Sequence, residues 1–232
     1  MTTTQQRQFR GFSQETFAFL TDVGRRNDKT WFEAHRADYR EHVLQPLRDL
    51  VDDLAPFMLS IDLSFEVRPA VGKTISRIHR DTRFSRDKRP FRDCMWIVFK
   101  RPGPDWSRYI PGYFLEIGPR SYAYGMGYYD AAPKLMARFR HQIDRDPDSF
   151  LESIAWFASQ DVFTLQGEAY KRPLGQEKPE PILAWYSLKN FYLVCERSVD
   201  DAILSPRFAD QLIKHFGMVC PLYHYLCELW HP

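Results

Sequence analysis

Tyr113-Phe114-Leu115-Glu116-Ile117-Gly118-Pro119-Arg120-Ser121-Tyr122-Ala123-Tyr124-Gly125-Met126-Gly127-Tyr128 decides the class of this fold. Two runs rich in aromatic and aliphatic residues flank Gly118-Pro119-Arg120-Ser121, the pattern of two strands joined by a four-residue hairpin loop. A strand exposes alternate residues to opposite faces, so Tyr122, Tyr124, Met126 and Tyr128 share one face. Gly125 and Gly127 are two glycines without the rest of a phosphate-binding fingerprint, and read as strand-edge flexibility.

Moving upstream, Met95 to Phe99 is a short, nearly continuous apolar run that reads as a well-covered strand. Leu63, Phe65 and Val67 alternate with other residues, as in a half-buried strand. Before them the period is helical. Ser13 reads as an N-cap, with Phe12 and Phe17 at hydrophobic-staple spacing, and the first helix is expected to end at Gly24. Thr30-Trp31-Phe32-Glu33 reads as a capping box that opens a second helix. Its stripe of Phe32, Tyr39, Val43, Leu47, Leu50 or Val51, and Leu54 continues through Pro46, which predicts a kink or two abutting helices.

Downstream, helices return. Asp130 is a candidate cap for a helix bearing Leu135, Met136, Phe139 and Ile143. Asp146-Pro147 is a cap followed by proline at the first helical position. Residues 167–181 read as a long loop, Phe191 to Cys195 as a strand, and Ser205-Pro206 as the start of a C-terminal helix that continues after Pro221. Helices, then strands, then helices predict an α+β fold: a mostly antiparallel sheet with helices before and after it, packed as one domain over residues 12–232. The polar residues 1–11 read as a flexible tail, with no apolar core of a secretory signal.

The chain has 232 residues, 44% of them hydrophobic and 16% aromatic, enough for a sizeable core. Nowhere does an apolar stretch approach the roughly 18 residues needed to cross a bilayer, so no membrane partner is expected. Cys94, Cys195, Cys220 and Cys227 form no C-x-x-C pair and fit free thiols in a reducing compartment, which predicts a cytoplasmic protein. Net charge is only +2, but its distribution is uneven. Six Lys and Arg face eleven Asp and Glu between Ser13 and Glu66, against eleven and three between Arg68 and Arg101.

That basic stretch centres on Arg77-Ile78-His79-Arg80-Asp81-Thr82-Arg83-Phe84-Ser85-Arg86-Asp87-Lys88-Arg89-Pro90-Phe91. Arginines recur at 77, 80, 83, 86, 89 and 92, a three-residue step that cannot keep six residues on one α-helical face. Pro90 also disfavours a regular helix or central strand, so the segment reads as a loop or irregular edge.

Within it, R-x-x-R-D-x-R-F-x-x-D-K-x-P-Y resembles the signature of a family of mainly bacterial proteins, also found in fungi, called domain of unknown function twenty-four sixty-one. Arg77, Arg80, Asp81, Arg83, Phe84, Asp87, Lys88 and Pro90 match it, and Phe91 stands where the family usually has tyrosine. The likeness extends over almost the whole chain through Trp31-Phe32-Glu33, Tyr39, the hairpin, Lys171-Arg172-x-Leu174 and Pro221-Leu222. It implies one fold across these residues and a focus on this segment, but no activity.

Residue chemistry points first to an anion site. Arg77, Arg80, Arg83 and Lys88, joined by Lys171 and Arg172, would grip a phosphate- or carboxylate-bearing small molecule, with Asp81 and Asp87 orienting the arginines. An arginine–aspartate network that braces the fold, or serves a protein partner, stands beside it. Nucleic acid is the extended form of the first reading, with Phe84, Phe91, Trp96 and Trp106 as stacking surfaces. The near-neutral total charge and the core-like setting of those aromatics weigh against it.

A hydrolase or transferase acting on a phosphorylated substrate, with Asp81 as base, is the enzymatic alternative. No catalytic residue is assigned. Glu33 and His35 point about 200° apart on a helix and cannot act together locally. His79 near Asp81 is a lone pair of a kind common in inert proteins. Neither a metal-ligand cluster nor a cofactor fingerprint is present, so no metal or cofactor is expected. Trp31 and Tyr39, eight residues apart, line either a pocket or ordinary core. Oligomeric state is not legible.

Overall fold

The structure, a computed structural model, describes residues 8–103, 106–172 and 174–229. The chain divides into two compact units. Met1–Phe99, Phe114–Ala123 and Glu196–Ile213 form the first, and Lys100–Tyr113, Tyr124–Cys195 and Lys214–Pro232 the second.

Five helical segments come first: α1 (Gln14–Arg26), α2 (Lys29–Ala34), α3 (Arg36–Asp38), a π-helical turn (Tyr39–Leu44) and α4 (Gln45–Ile61). Strand β1 (Met95–Phe99), α5 (Trp106–Tyr109), β2 (Gly112–Ile117) and β3 (Ser121–Gly127) follow. Then come α6 (Pro133–Arg145), α7 (Pro147–Ser153), a 3-10 turn (Ala155–Ser159) and β4 (Thr164–Gln166). The chain continues through α8 (Glu180–Tyr186), β5 (Tyr192–Ser198), α9 (Phe208–Met218) and α10 (Cys220–Glu228). The strands make one antiparallel sheet in the order β1-β2-β3-β5-β4, so the class is α+β. Among the described residues, no helix is long and apolar enough to cross a membrane.

The hairpin forms, with Ser121 already in β3 so that three residues rather than four join the strands, and Tyr122, Tyr124, Met126 and Tyr128 are all buried. Gly125 and Gly127 differ from expectation. They lie in a central strand, where a Cβ on Gly125 would sit 1.8 Å from the Leu193 carbonyl oxygen and one on Gly127 2.4 Å from Tyr192 Cα. The glycines are there for close backbone approach, not flexibility.

In the first unit, α1 runs past Gly24, where the Asp93 segment packs close against it. A side chain on Gly24 would begin 2.8 Å from Asp93 Cβ. The helix stops at Asn27, whose left-handed φ of 47° ends it as a glycine usually does. The cap of α2 is Asp28, which accepts from the Trp31 N–H at 2.8 Å, two residues earlier than the Thr30 box. Glu33 pairs instead with Arg36 at 2.5 Å.

The expected break near Pro46 is a π turn. Proline has no N–H to return to the His42 carbonyl. Thr16 Oγ1 donates to that carbonyl at 2.5 Å instead, and accepts the Ser13 N–H at 3.1 Å.

No strand forms at residues 62–67: Leu63 is 88% exposed while Phe65 is buried, and the stretch makes no ladder. Short alternation specifies a strand only where a neighbouring strand pairs with it. Residues 74–76 pair with β1 instead, through Ser76 N–H to Trp96 O and Val98 N–H to Thr74 O, both at 2.8 Å.

Of the expected tail, residues 1–7 lie outside the described residues, and residues 8–11 are anchored directly or through Phe12. Gln8 and Phe9 N–H groups each donate to Asp53 at 3.0 Å. Phe9 is buried 5.2 Å from Phe12, and Phe12 N–H donates to Ile203 O at 3.1 Å. An apolar ring with somewhere to pack orders even a polar terminus.

In the second unit an aromatic core forms around α6, α7, α8 and β5. Phe139, Phe150, Trp185 and Phe191 pack in contact at ring separations of 5.2–6.0 Å. The helix that bears Leu135 to Ile143 starts at Pro133 with Ala132 before it, so Asp130 is not its cap. Asp146 does cap α7, accepting from Ser149 N–H at 3.1 Å.

Candidate functional site

The arginine-rich segment is a nine-residue excursion on paired arms. Arg80 N–H donates to Pro90 O and Arg92 N–H to Ile78 O, each at 2.8 Å, and His79 bridges Phe91 in antiparallel fashion. Residues 81–89 between the arms form no regular helix or strand, as Pro90 and the three-residue arginine step predict.

Asn27 fixes the base of the excursion. Its amide accepts from Phe91 N–H at 3.0 Å and donates to Phe91 O at 3.1 Å. The Phe91 ring is buried and stacks on Phe32 at 4.4 Å, with His79 5.0 Å away. A phenylalanine thus serves the packing role fully at this position.

The two aspartates divide the cations between them. Asp87 accepts from Arg89 at 2.7 Å and from Arg80 at 2.5 Å, which crosses the loop. These guanidinium bonds, Arg89's the larger and Arg80's next, hold the Asp87 carboxyl well below the usual carboxylate range. Asp81 takes a two-pronged bond from Arg83, with Nη2 at 2.6 Å, which lowers its pKa to about 2. Both partners of that pair are exposed. Lys88 Nζ reaches the Thr82 carbonyl at 2.9 Å. Arg77 and Arg86 are exposed and make no ion pair among the described residues, and the Arg77 guanidinium lies beside the Gly72 turn.

Three aromatics of the segment have separate fates. Phe84 is 95% exposed, with the Arg83 guanidinium 5.8 Å from its ring centre. Trp96 is half-buried beneath Arg92 at 4.6 Å. Phe91 is core. The Trp106 side chain lies outside the described residues. The Arg92 contact and the Asn27 clamp were not visible in sequence, because both join residues whose proximity only folding creates.

Lys171 and Arg172 belong to the second unit, on the 167–179 loop, and are exposed without an ion pair among the described residues. That loop is held by Lys178, which pairs with Asp144 at 2.7 Å, and by Tyr186 OH, which donates to Asp144 at 2.9 Å. The same unit has a cleft of about 630 Å³ between Leu165, Leu188 and Tyr192, and none of the expected site residues lines it.

The acid–base pairs are occupied elsewhere. His35 Nδ1 lies 2.8 Å from Trp31 O and its ring stacks on Trp31 at 4.4 Å, while Glu33 binds Arg36. Trp31 and Tyr39 both contact Phe19, at 5.6 and 5.8 Å; Tyr39 is buried in the core and Trp31 is half-buried. Among the described residues, no three His, Cys, Asp or Glu side chains group where a metal ion could be held. The half-buried Cys94 thiol is pushed up to about 11, by burial first and then by Glu116 and Asp93, which keeps it a poor nucleophile.

No curated protein matches the chain. A single family match over residues 15–225 takes in the loop and most of both units; it is described as a conserved hypothetical protein (DUF2461), and the chain belongs to that family.

Proposed function

We propose that the protein binds a phosphate- or carboxylate-bearing ligand at the arginine-rich loop. One observation carries this: Asp81 and Asp87 engage Arg80, Arg83 and Arg89, and leave Arg77 and Arg86 exposed without a carboxylate among the described residues. The base of the loop is already clamped through Asn27 and the paired arms. A ligand would meet guanidinium groups on an ordered loop, so less conformational entropy opposes binding. Arginine suits the role because its planar fork matches two oxygens of one anion.

The Arg80–Asp87–Arg89 bridge favours a second, compatible role in which part of the motif braces the loop. The enzymatic alternative gains nothing from the geometry. Arg83 occupies both Asp81 oxygens, and a carboxylate held at about 2 is a weak proton acceptor at neutral pH.

Thermal melts and calorimetric titration with pyrophosphate and citrate test the reading. Wild type should be stabilised in a salt-sensitive manner, because exposed charges are screened. Arg77→Gln and Arg86→Gln should each weaken binding while leaving the unliganded melting temperature unchanged. Equal binding by wild type and both variants, or none by any, would reject the site.

A further inference from the structure

We infer that the anion recognised at this loop is the backbone of a single-stranded nucleic acid, with Phe84 as the platform on which a base stacks. The inference rests on the anion-site reading and adds to it a partner class.

Phe84 carries the argument. A lone exposed apolar residue is unremarkable on a protein surface. This ring, 95% exposed, sits instead on a loop bearing exposed cations at Arg83, Arg86, Lys88 and Arg89. The Arg83 guanidinium covers the ring at 5.8 Å, and Asp81 holds that guanidinium by its two-pronged bond. Folding therefore leaves the Phe84 surface unused while fixing a cation beside it.

A base laid on the ring would complete a base–phenyl–guanidinium stack, and its phosphates would lie among Arg86, Lys88 and Arg77. Aromatic platforms interleaved with cations are how single strands are held without sequence readout. Paired bases in a duplex are already stacked on each other and offer Phe84 no free face.

An anionic bilayer is the competing partner for a cationic loop with an exposed ring. The cations favour nucleic acid. Six of the seven between residues 77 and 92 are arginine, whose fork matches individual phosphates. A diffuse membrane potential acts on net charge and is served as well by lysine.

Fluorescence anisotropy with a labelled oligothymidylate, its duplex counterpart and inorganic pyrophosphate as competitor tests this. Vesicles of phosphatidylserine and phosphatidylcholine are run alongside in sedimentation. Wild type should bind the single strand more tightly than the duplex, with log K falling as log salt rises. Phe84→Ala should lose about tenfold for the oligonucleotide and nothing for pyrophosphate. Phe84→Trp should keep its affinity, and Arg86→Gln should weaken both ligands. Circular dichroism on each variant confirms folding.

Loss of pyrophosphate binding in wild type would sink the anion site itself. Pyrophosphate binding without oligonucleotide binding, or without an effect of Phe84→Ala, would overturn only the stacking inference. Equal affinity for duplex, or binding to the vesicles alone, would overturn it too.

Discussion

Asn27 and Phe91 are joined as two strand residues would be, although one of the pair is a side chain. The Asn27 amide accepts Phe91 N–H at 3.0 Å and donates to Phe91 O at 3.1 Å. Phe91 closes the arginine-rich loop, and Asn27 ends α1 with φ of 47°. A helix end and a loop base are thereby one structural joint.

Asn27→Ala should remove both bonds and strain the left-handed backbone, and is expected to cost about 1–3 kcal/mol. Asn27→Gly keeps the backbone conformation and loses only the bonds, so it should lie between alanine and wild type. Urea unfolding of the three proteins measures this. Equal stability of wild type and Asn27→Gly would show that the amide bonds contribute nothing.

Thr16 holds the π turn by its hydroxyl, bonded to His42 O at 2.5 Å and to Ser13 N–H at 3.1 Å. Thr16→Val preserves the shape of this fully buried side chain but leaves both groups without it. About 1–3 kcal/mol should be lost. For a chain of this size that corresponds to a fall of roughly 2–4 °C per kcal/mol in Tm. Thermal melts decide, and an unchanged Tm would mean that water replaces the hydroxyl.

Gly125→Ala places a methyl where the Leu193 carbonyl oxygen already is, 1.8 Å away. Backbone cannot yield as a flexible side-chain end can, so overpacking should destabilise by about 1–3 kcal/mol or more. Gly103→Ala is the informative contrast. Among the described residues no atom lies within 4 Å of its added Cβ, but its φ of 145° is strained for alanine, so the loss expected there is conformational. Denaturant midpoints of both variants test the distinction. Tolerance at Gly125 would show that β3 and β5 can separate without cost.

Asp81 should titrate near 2, because the bond from Arg83 favours its charged form. Its pKa is lowered on folding, so its contribution is present above the unfolded value of about 3.9 and is lost as pH falls through the folded value. The window is therefore about pH 4 down to about 2. Carboxyl NMR across that range reads it directly. In Arg83→Gln the midpoint should return towards about 3.9. A wild-type midpoint already there would show that the exposed pair is not formed in solution.

The sequence by itself determined the α+β class, the hairpin, the buried faces of α4 and α6, and the irregularity of the arginine loop. Each rests on local chemistry: a period of two or of 3.6, a proline without an N–H, an aspartate before Pro147. Tertiary structure decided the rest. The alternation of Leu63, Phe65 and Val67 matched a strand, but a strand exists only where a neighbouring strand pairs with it, and among the described residues this stretch joins no ladder. Gly24, Gly125 and Gly127 read locally as a stop or as flexibility, while the packed neighbours make them points of close approach. The composition of the loop announced an excess of cations. Which of them the two aspartates engage, and that Phe84 is left outside while Phe91 is taken in, depends on distances that no spacing along the chain encodes.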